Sequence, residues 1–571
     1  MKPLHLRWLS LLILGILLFS TSASAESAIS MRIPSRSEST IQSPIVARVY
    51  FSNLDELNWL AGWVDIWDVD HAEGYILAML SPQDYQTLLQ RGFQIEIDAQ
   101  KTTDLSRRNV PLPNQVSGIP EYPCYRTVEE TYASLQQMAT DHPELVSMTD
   151  IGDSWEKTTP GGSSGYDIYS IVITNQAIPG PKPKFFLMAT IHAREYATAE
   201  LATRFAEHLV ANYGVNPDIT WLVDYYEIHI VTQTNPDGRK IAEAGTLWRK
   251  NTHDGCLLSA YRGVDLNRNS SFKWGYDSTG SSPSSCAETY RGPSAASEPE
   301  TQAIQDCVAS IFPDQRGTED SDPVPDDAMG TFITLHSSGE WVLFPWGWTG
   351  NPSPNDTALE TLGRKFGFFN QYLVCQSGEP GCIYPTNGST DDWAYGDLGL
   401  AAYTFEIGTE FFQSCSYFEN TLIQENLPAL MFAFKAARLP YQNPAGPETL
   451  DLTLDFDAIP SGSPVELTAT ANDTRFDSNG WGEEPTQSIS AARYSIDAPS
   501  WKAGITFPLA AADGSFNATV ENLQATIDTT ALTPGRHLLF VESQDTDGNW
   551  GVPSAIFLVI EGPTYIPLIF R

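Results

Sequence analysis

The stretch Phe185-Phe186-Leu187-Met188-Ala189-Thr190-Ile191 runs directly into His192-Ala193-Arg194-Glu195. An apolar run without polar alternation reads as a strand buried on both faces of a mostly parallel sheet. In α/β enzymes, functional groups gather where such strands end. Here a His and a Glu stand three residues apart at that end, both able to bind a metal ion. With nine histidines in the chain, chance can supply one His-x-x-Glu, so the rest of the sequence has to decide.

Two further apolar runs end the same way. Thr331-Phe332-Ile333-Thr334-Leu335 is followed by His336, and Ala401-Ala402-Tyr403-Thr404-Phe405 by Glu406. Three strands would thus bring ionisable groups to one rim of a sheet. Two His and one Glu form the three-ligand set of a catalytic zinc, with the fourth position left to water. Zinc lowers the pKa of such a water towards ~7. A carboxylate outside the ligand set must then take the proton, and Glu406 is the candidate.

The 571 residues are too many for one core. A 42% hydrophobic content fits a globular chain, and a net charge of −37 argues against nucleic-acid binding, which needs a basic footprint. Such charge suits a solvated, mutually repelling surface. Lys2 and Arg7, the apolar run 8–19 and Ala23-Ser24-Ala25 read as a signal peptide over residues 1–25. No other stretch is apolar enough to span a membrane. The expectation is a secreted, extracellular protein without stable membrane insertion. All seven cysteines lie between Cys124 and Cys415. In an oxidising compartment they should pair with one left over; Cys256 with Cys286 and Cys375 with Cys382 are candidate pairs.

Residues 26–116 read as a separate N-terminal segment. Within it, residues 45–98 read βαββαβ, a ferredoxin-like plan, and residues 101–119, with Arg107-Arg108, read as an exposed, cuttable linker. Residues 117–440 alternate strands and helices, implying an α/β domain with a mixed, mostly parallel sheet flanked by helices. From 441 to 571 short alternating strands and turns such as Asn479-Gly480 and Asp547-Gly548 imply a linker and an all-β sandwich. That region carries 17 Asp or Glu against 5 Lys or Arg and no His-based cluster, so it reads as a stabilising module without a catalytic part.

Several motifs, in order, resemble the zinc metallocarboxypeptidases of the pancreatic carboxypeptidase A and B type. The resemblance covers residues 122–439, and it implies that residues 26–116, which precede it, are a pro-segment. His192-Ala193-Arg194-Glu195 is similar to that family's first metal motif and His336-Ser337 to its third ligand. Trp248-Arg249-Lys250 and Gly263-Val264-Asp265-Leu266-Asn267-Arg268-Asn269 are similar to its two arginine motifs, and Tyr384-Pro385-Thr386-Asn387-Gly388-Ser389-Thr390-Asp391-Asp392-Trp393 to its mobile tyrosine loop. The likeness implies zinc on His192, Glu195 and His336, with Glu406 as base and Arg249 as electrophile. It implies that Asn267 and Arg268 hold the substrate's terminal carboxylate, an anion suited to a bidentate guanidinium. Asp265 would orient His192, Tyr384 would cap the substrate, and Arg194 would contact it upstream of the cut bond. Cys286-Ala287-Glu288-Thr289-Tyr290 supports the Cys256–Cys286 pair. Asp391 implies a preference for C-terminal Lys or Arg, against which a broad hydrophobic preference stays open.

The implied protein is a secreted, monomeric zinc exopeptidase acting on peptide or protein C-termini. Two other classes compete with it: a zinc amidase acting on acidic or cell-wall peptides, which need not keep the Asn267-Arg268 clamp, and a non-catalytic binding protein.

Overall fold

The computed structural model describes residues 41–159, 163–258, 261–480 and 482–562. The expected signal peptide, and residues 26–40 of the expected pro-segment, lie outside them.

The first sheet is built from β1 (Ile45–Tyr50), β2 (Asp65–Asp70), β3 (Tyr75–Leu80) and β4 (Gln94–Ile97), in the antiparallel order β2-β3-β1-β4. Helices Leu54–Ala61 and Pro82–Arg91 are the crossovers. Ser81 caps the second helix through Asp84 N, and Asp84 returns a bond to Ser81 N, a reciprocal cap readable from the sequence. The linker starts later than residue 101. Ala99–Asp104 is a helix, tied to β1 because Thr102 Oγ1 accepts from Val46 N at 2.9 Å. Arg107 and Arg108 beyond it are exposed.

The second sheet contains β5 (Val146–Asp153), β6 (Asp167–Ile173), β7 (Lys184–Ala189), β8 (Glu227–Val231), β9 (Thr331–His336), β10 (Trp341–Phe344), β11 (Leu373–Gln376) and β12 (Ala401–Glu406). Their order is β11-β10-β12-β9-β7-β8-β6-β5. The centre β8-β7-β9-β12 is parallel, while β5, β6 and β10 run antiparallel to their inner neighbours. β7 lies between β8 and β9, and Phe185, Phe186, Leu187 and Met188 have no exposed surface. Each such side chain contributes roughly 1.5–3 kcal/mol of burial. Helices Val128–Asp141, Tyr196–Asn212, Asp356–Asn370 and Ile423–Ala436 cover the sheet.

The remaining strands are β13 (Glu448–Leu454), β14 (Ala458–Pro460), β15 (Val465–Asn472), β16 (Ile489–Ile496), β17 (Phe507–Ala511), β18 (Val520–Ile527), β19 (Gly535–Asp545) and β20 (Ser554–Glu561). They form one sandwich, in which β17 pairs with β18 on one side and β16 on the other and so joins the layers. Its own core gathers Leu467, Leu509, Leu523 and Leu558. Phe540 and Trp501 pack on Trp221 of the central domain.

Cysteine pairing is Cys124–Cys415, Cys256–Cys286 and Cys375–Cys382, with Cys307 free. Among the described residues no helix is long and apolar enough to cross a membrane.

Candidate active site

The parallel centre of the sheet puts the candidate residues on one rim. In the β9–β12 register Glu406 stands beside His336, and in the β7–β9 register Ala189 stands beside Leu335. Past Ala189 the chain turns sharply at Thr190, whose φ is +57°, a conformation costly for a β-branched residue. Thr190 is held there by Thr198 Oγ1, which accepts from its N–H at 3.2 Å, and by its own hydroxyl, which donates to Thr232 O at 3.0 Å. The turn brings His192 back over the sheet. Glu195 occupies the N-cap position of helix Tyr196–Asn212 but makes no capping bond. Its carboxylate is turned to the histidines instead.

His192 Nδ1 lies 2.7 Å from Glu195 Oε1 and 3.1 Å from His336 Nδ1, and His336 Nδ1 lies 3.4 Å from Glu195 Oε2. All three side chains are buried, and one ligand atom from each lies within 4.8 Å of the others. Glu195 Oε2 is buried without a hydrogen-bond partner. Two imidazole nitrogens and an orphaned carboxylate oxygen aimed at one point are hard to satisfy without a cation. The donor set fits zinc. Burial pushes the Glu195 carboxyl up, but the two imidazoles outweigh it and hold the group below the usual range. Burial likewise lowers His336 towards the neutral form a metal ligand requires.

Behind the histidines, Asp265 is fully buried and serves several partners. Its Oδ1 lies 3.2 Å from His192 Nε2 and accepts from Asn267 N at 3.0 Å. Its Oδ2 accepts from Arg249 Nε at 3.0 Å and Nη2 at 2.9 Å. One carboxylate thus orients both the imidazole and the guanidinium. Burial alone would raise its pKa, but Arg249 and His192 hold it well below the ordinary value.

Arg268 donates from Nε to Gly280 O at 2.6 Å and from Nη1 to Asn267 O at 2.8 Å, which fixes the fork beside the cavity. Asn267 Oδ1 accepts from Thr390 N and Oγ1, at 2.9 and 3.0 Å. Its Nδ2 lies 3.4 Å from His336 Nε2. Glu406 borders the same cavity; burial and the Glu195 charge push its carboxyl well above the usual range. Tyr384 lines the cavity as well and packs against the core of the first domain. Asp391 is 4% exposed and lines the cavity with Ser377, Thr386, Ser389 and Thr404; its Oδ2 accepts from Thr404 Oγ1 at 3.1 Å.

Arg194 is not free to meet a substrate in this chain. Its Nη1 and Nη2 donate to Asp65 Oδ2 and Oδ1 of β2, at 2.6 and 3.0 Å, and its guanidinium lies 4.0 Å from the centre of the Phe411 ring. Asp65 Oδ1 is also 3.8 Å from Arg249 Nη1. Burial would raise the Asp65 carboxyl, yet Arg194 and then Arg249 bring it below its ordinary value. Ile66 and Trp67 follow Asp65 over the cleft and line a cavity of about 80 Å³. No motif marks Asp65 and Trp67, because their roles come from contacts across distant parts of the chain; Thr390 lies inside the tyrosine-loop motif, but its bonds to Asn267 depend on the fold.

The family model described as zinc carboxypeptidase matches residues 131–427, more than half of the chain. Carboxypeptidase A1 of Mus musculus is 31% identical over 291 residues, which is 50% of this chain and 63% of that protein. Zinc carboxypeptidase A 1 of Anopheles gambiae is 30% identical over 325 residues, 55% of this chain and 66% of that one. The matches therefore span less than two thirds of these relatives. The crystal structure of the carboxypeptidase A from Helicoverpa armigera covers 69% of this chain and 98% of its own, at TM-score 0.54 and 22% identity. Thrombin activatable fibrinolysis inhibitor covers 69% and 99%, at TM-score 0.53 and 20% identity. These two likenesses are of fold.

Proposed function

The chain belongs to the zinc carboxypeptidase family, and we propose that it is a secreted zinc exopeptidase, made with an inhibitory N-terminal domain, that releases single residues from peptide C-termini. The observation that carries this reading is the cluster of His192, Glu195 and His336, of which His192 and Glu195 line one cavity with Glu406 and Arg268.

His192, Glu195 and His336 would hold the metal. Zinc, when bound, supplies Lewis acidity that lowers the pKa of water and polarises a carbonyl. Arg268 and Asn267 receive the terminal carboxylate and fix which peptide bond lies before Glu406. Arg249, steadied by Asp265, donates to the carbonyl oxygen as negative charge develops there. Glu406 takes the proton of the attacking water; as the C–N bond breaks, it returns that proton to the leaving amine. Tyr384 closes over the bound residue and excludes water. The hydroxyl-lined pocket around Asp391 supports a preference for C-terminal Lys or Arg, whose charge a buried carboxylate can pair.

In the uncut chain β2 lies where the substrate would lie, and Asp65 holds the arginine expected to contact it. Cleavage near the exposed Arg107-Arg108 would release that strand.

The test uses the processed protein. A chelator should abolish release of C-terminal residues and added zinc should restore it. Glu406→Gln should still bind one zinc per chain but turn over about 10²–10⁴ times more slowly. A variant that keeps the parent's rate would overturn the assignment.

A further inference from the structure

The family match ends at residue 427, before the sandwich begins at Glu448, yet the sandwich is joined to the part of the fold that carries the specificity pocket. β11 is the outermost strand of the central sheet. An uncovered edge strand leaves a row of unpaired backbone groups. Here the edge is met by the segment between β15 and β16. Val374 of β11 forms a parallel bridge with Gly480. The helix Asp356–Asn370, which leads into β11, is held by the same segment. Asp477 N donates to Arg364 O at 2.9 Å, Thr361 Oγ1 donates to Glu484 Oε1 at 2.7 Å, and Arg364 Nη1 donates to Glu484 Oε2 at 2.8 Å.

The approach is close enough to require glycine twice. A Cβ on Gly367 would lie 2.8 Å from Asp477 Cβ, and Gly480, at φ +111°, would bring one to 3.0 Å from Val374 O.

β11 in turn carries one wall of the pocket. Ser377, the residue after the strand, lines the cavity, and its N–H donates to Phe344 O at 2.9 Å. Cys375 is bonded to Cys382, which is followed by the cavity residues Ile383 and Tyr384. A shift of β11 against β10 would therefore move Ser377, Ile383 and Tyr384 together. Glu484 and Gly480 touch neither the cavity nor its metal ligands.

We propose that Asp477, Gly480 and Glu484 of the sandwich form a positioning element for the specificity pocket: they clamp the edge strand β11 and so set how well the pocket holds the substrate's C-terminal side chain. This rests on the exopeptidase reading above.

The test compares the processed full-length parent with Glu484→Ala on two peptides, one ending in Lys and one in Ala. A Lys side chain reaches the wall and a methyl group does not. The expected result is a KM for the Lys peptide raised about tenfold, with the Ala peptide changed by less than about threefold, since the displacement of Tyr384 acts on both and that of the pocket wall on Lys alone. Glu484→Gln, which keeps an acceptor for Thr361, should lie between. Amide hydrogen exchange should quicken in residues 373–384 of Glu484→Ala and stay unchanged in β7 and β9. If Glu484→Ala does not fold, Thr361→Val, which removes one of the two bonds, takes its place with the same expectations. Equal effects on both peptides, or unaltered exchange at 373–384, would overturn the proposal. Should the parent release no residue at all, the exopeptidase reading fails, while the exchange measurement still reports on the clamp.

Discussion

Asp391 and Glu300 are two buried carboxylates whose surroundings set opposite tasks. Asp391 lies among hydroxyl groups at the cavity wall, next to Asp392, whose own carboxyl burial and the Asp391 charge push well above the usual range. Asp392 accepts from Gly347 N and Trp348 N at 2.8 and 3.0 Å, so in the proposed mechanism Asp391, at the cavity wall, is the one to meet a substrate cation. Asp391→Ala should lower kcat/KM for a C-terminal Lys peptide by about 10² and leave a Phe peptide within about threefold. Comparing the two peptides on parent and variant checks this, and an equal loss on both would contradict it. Glu300 begins helix Pro299–Ile311, far from any motif. Its Oε1 accepts from Trp155 N at 2.7 Å and its Oε2 from Asn251 Nδ2 at 3.1 Å. Burial and then the neighbouring Glu298 push its carboxyl up to about 8. A carboxyl raised above its unfolded value of 4.5 keeps its proton longer in the folded state. Its contribution is complete below pH 4.5 and is lost as pH climbs through about 8. Thermal melts at pH 5 and pH 8.5 should therefore show Glu300→Gln gaining on the parent as pH rises, over a pH-independent offset. A constant difference would contradict this. The cluster of His192, Glu195 and His336 was legible because its members follow apolar runs. Glu298 and Glu300 were not, since nothing in an acidic helix start announces burial.

At the scale of elements, β7, β9 and β12 were legible within one or two residues, because strands buried on both faces leave no polar interruption. β2 was legible as a strand but not in its contacts. Asp65-Ile66-Trp67-Asp68 alternates like a half-exposed strand, yet Asp65 is buried against Arg194 of another domain. Asp65 and Arg194 are 129 residues apart, and no local pattern can pair them. Asp65→Ala would leave Arg194 buried without a partner, at a cost of about 3–5 kcal/mol to the docked state. The uncut Asp65→Ala chain should therefore hydrolyse a small peptide at least about tenfold faster than the uncut parent. The processed forms of both, which lack residue 65, should be identical. Equal rates for the two uncut chains would remove the inhibitory role from β2.

The whole molecule is a family domain with additions on two sides, one lying over the cleft and one supporting the sheet edge. Its closure was only partly legible. The Cys375–Cys382 pair could be suspected from its spacing, whereas Cys124–Cys415 joins residues 291 apart, a link that only the fold brings within reach. The sandwich could be recognised from its turn signals, but its hold on Val374 and Thr361 depends on three-dimensional contacts. In the proposed mechanism the metal centre is aimed at a chain terminus by Arg268 and Asn267. The direct measurement is kcat/KM of the processed protein on one peptide with a free and with an amidated C-terminus. The free form should be preferred at least about 10²-fold, since the amide leaves the buried guanidinium without its anion, and single residues should be lost stepwise. Equal rates on the two peptides, or cleavage at internal bonds, would contradict it.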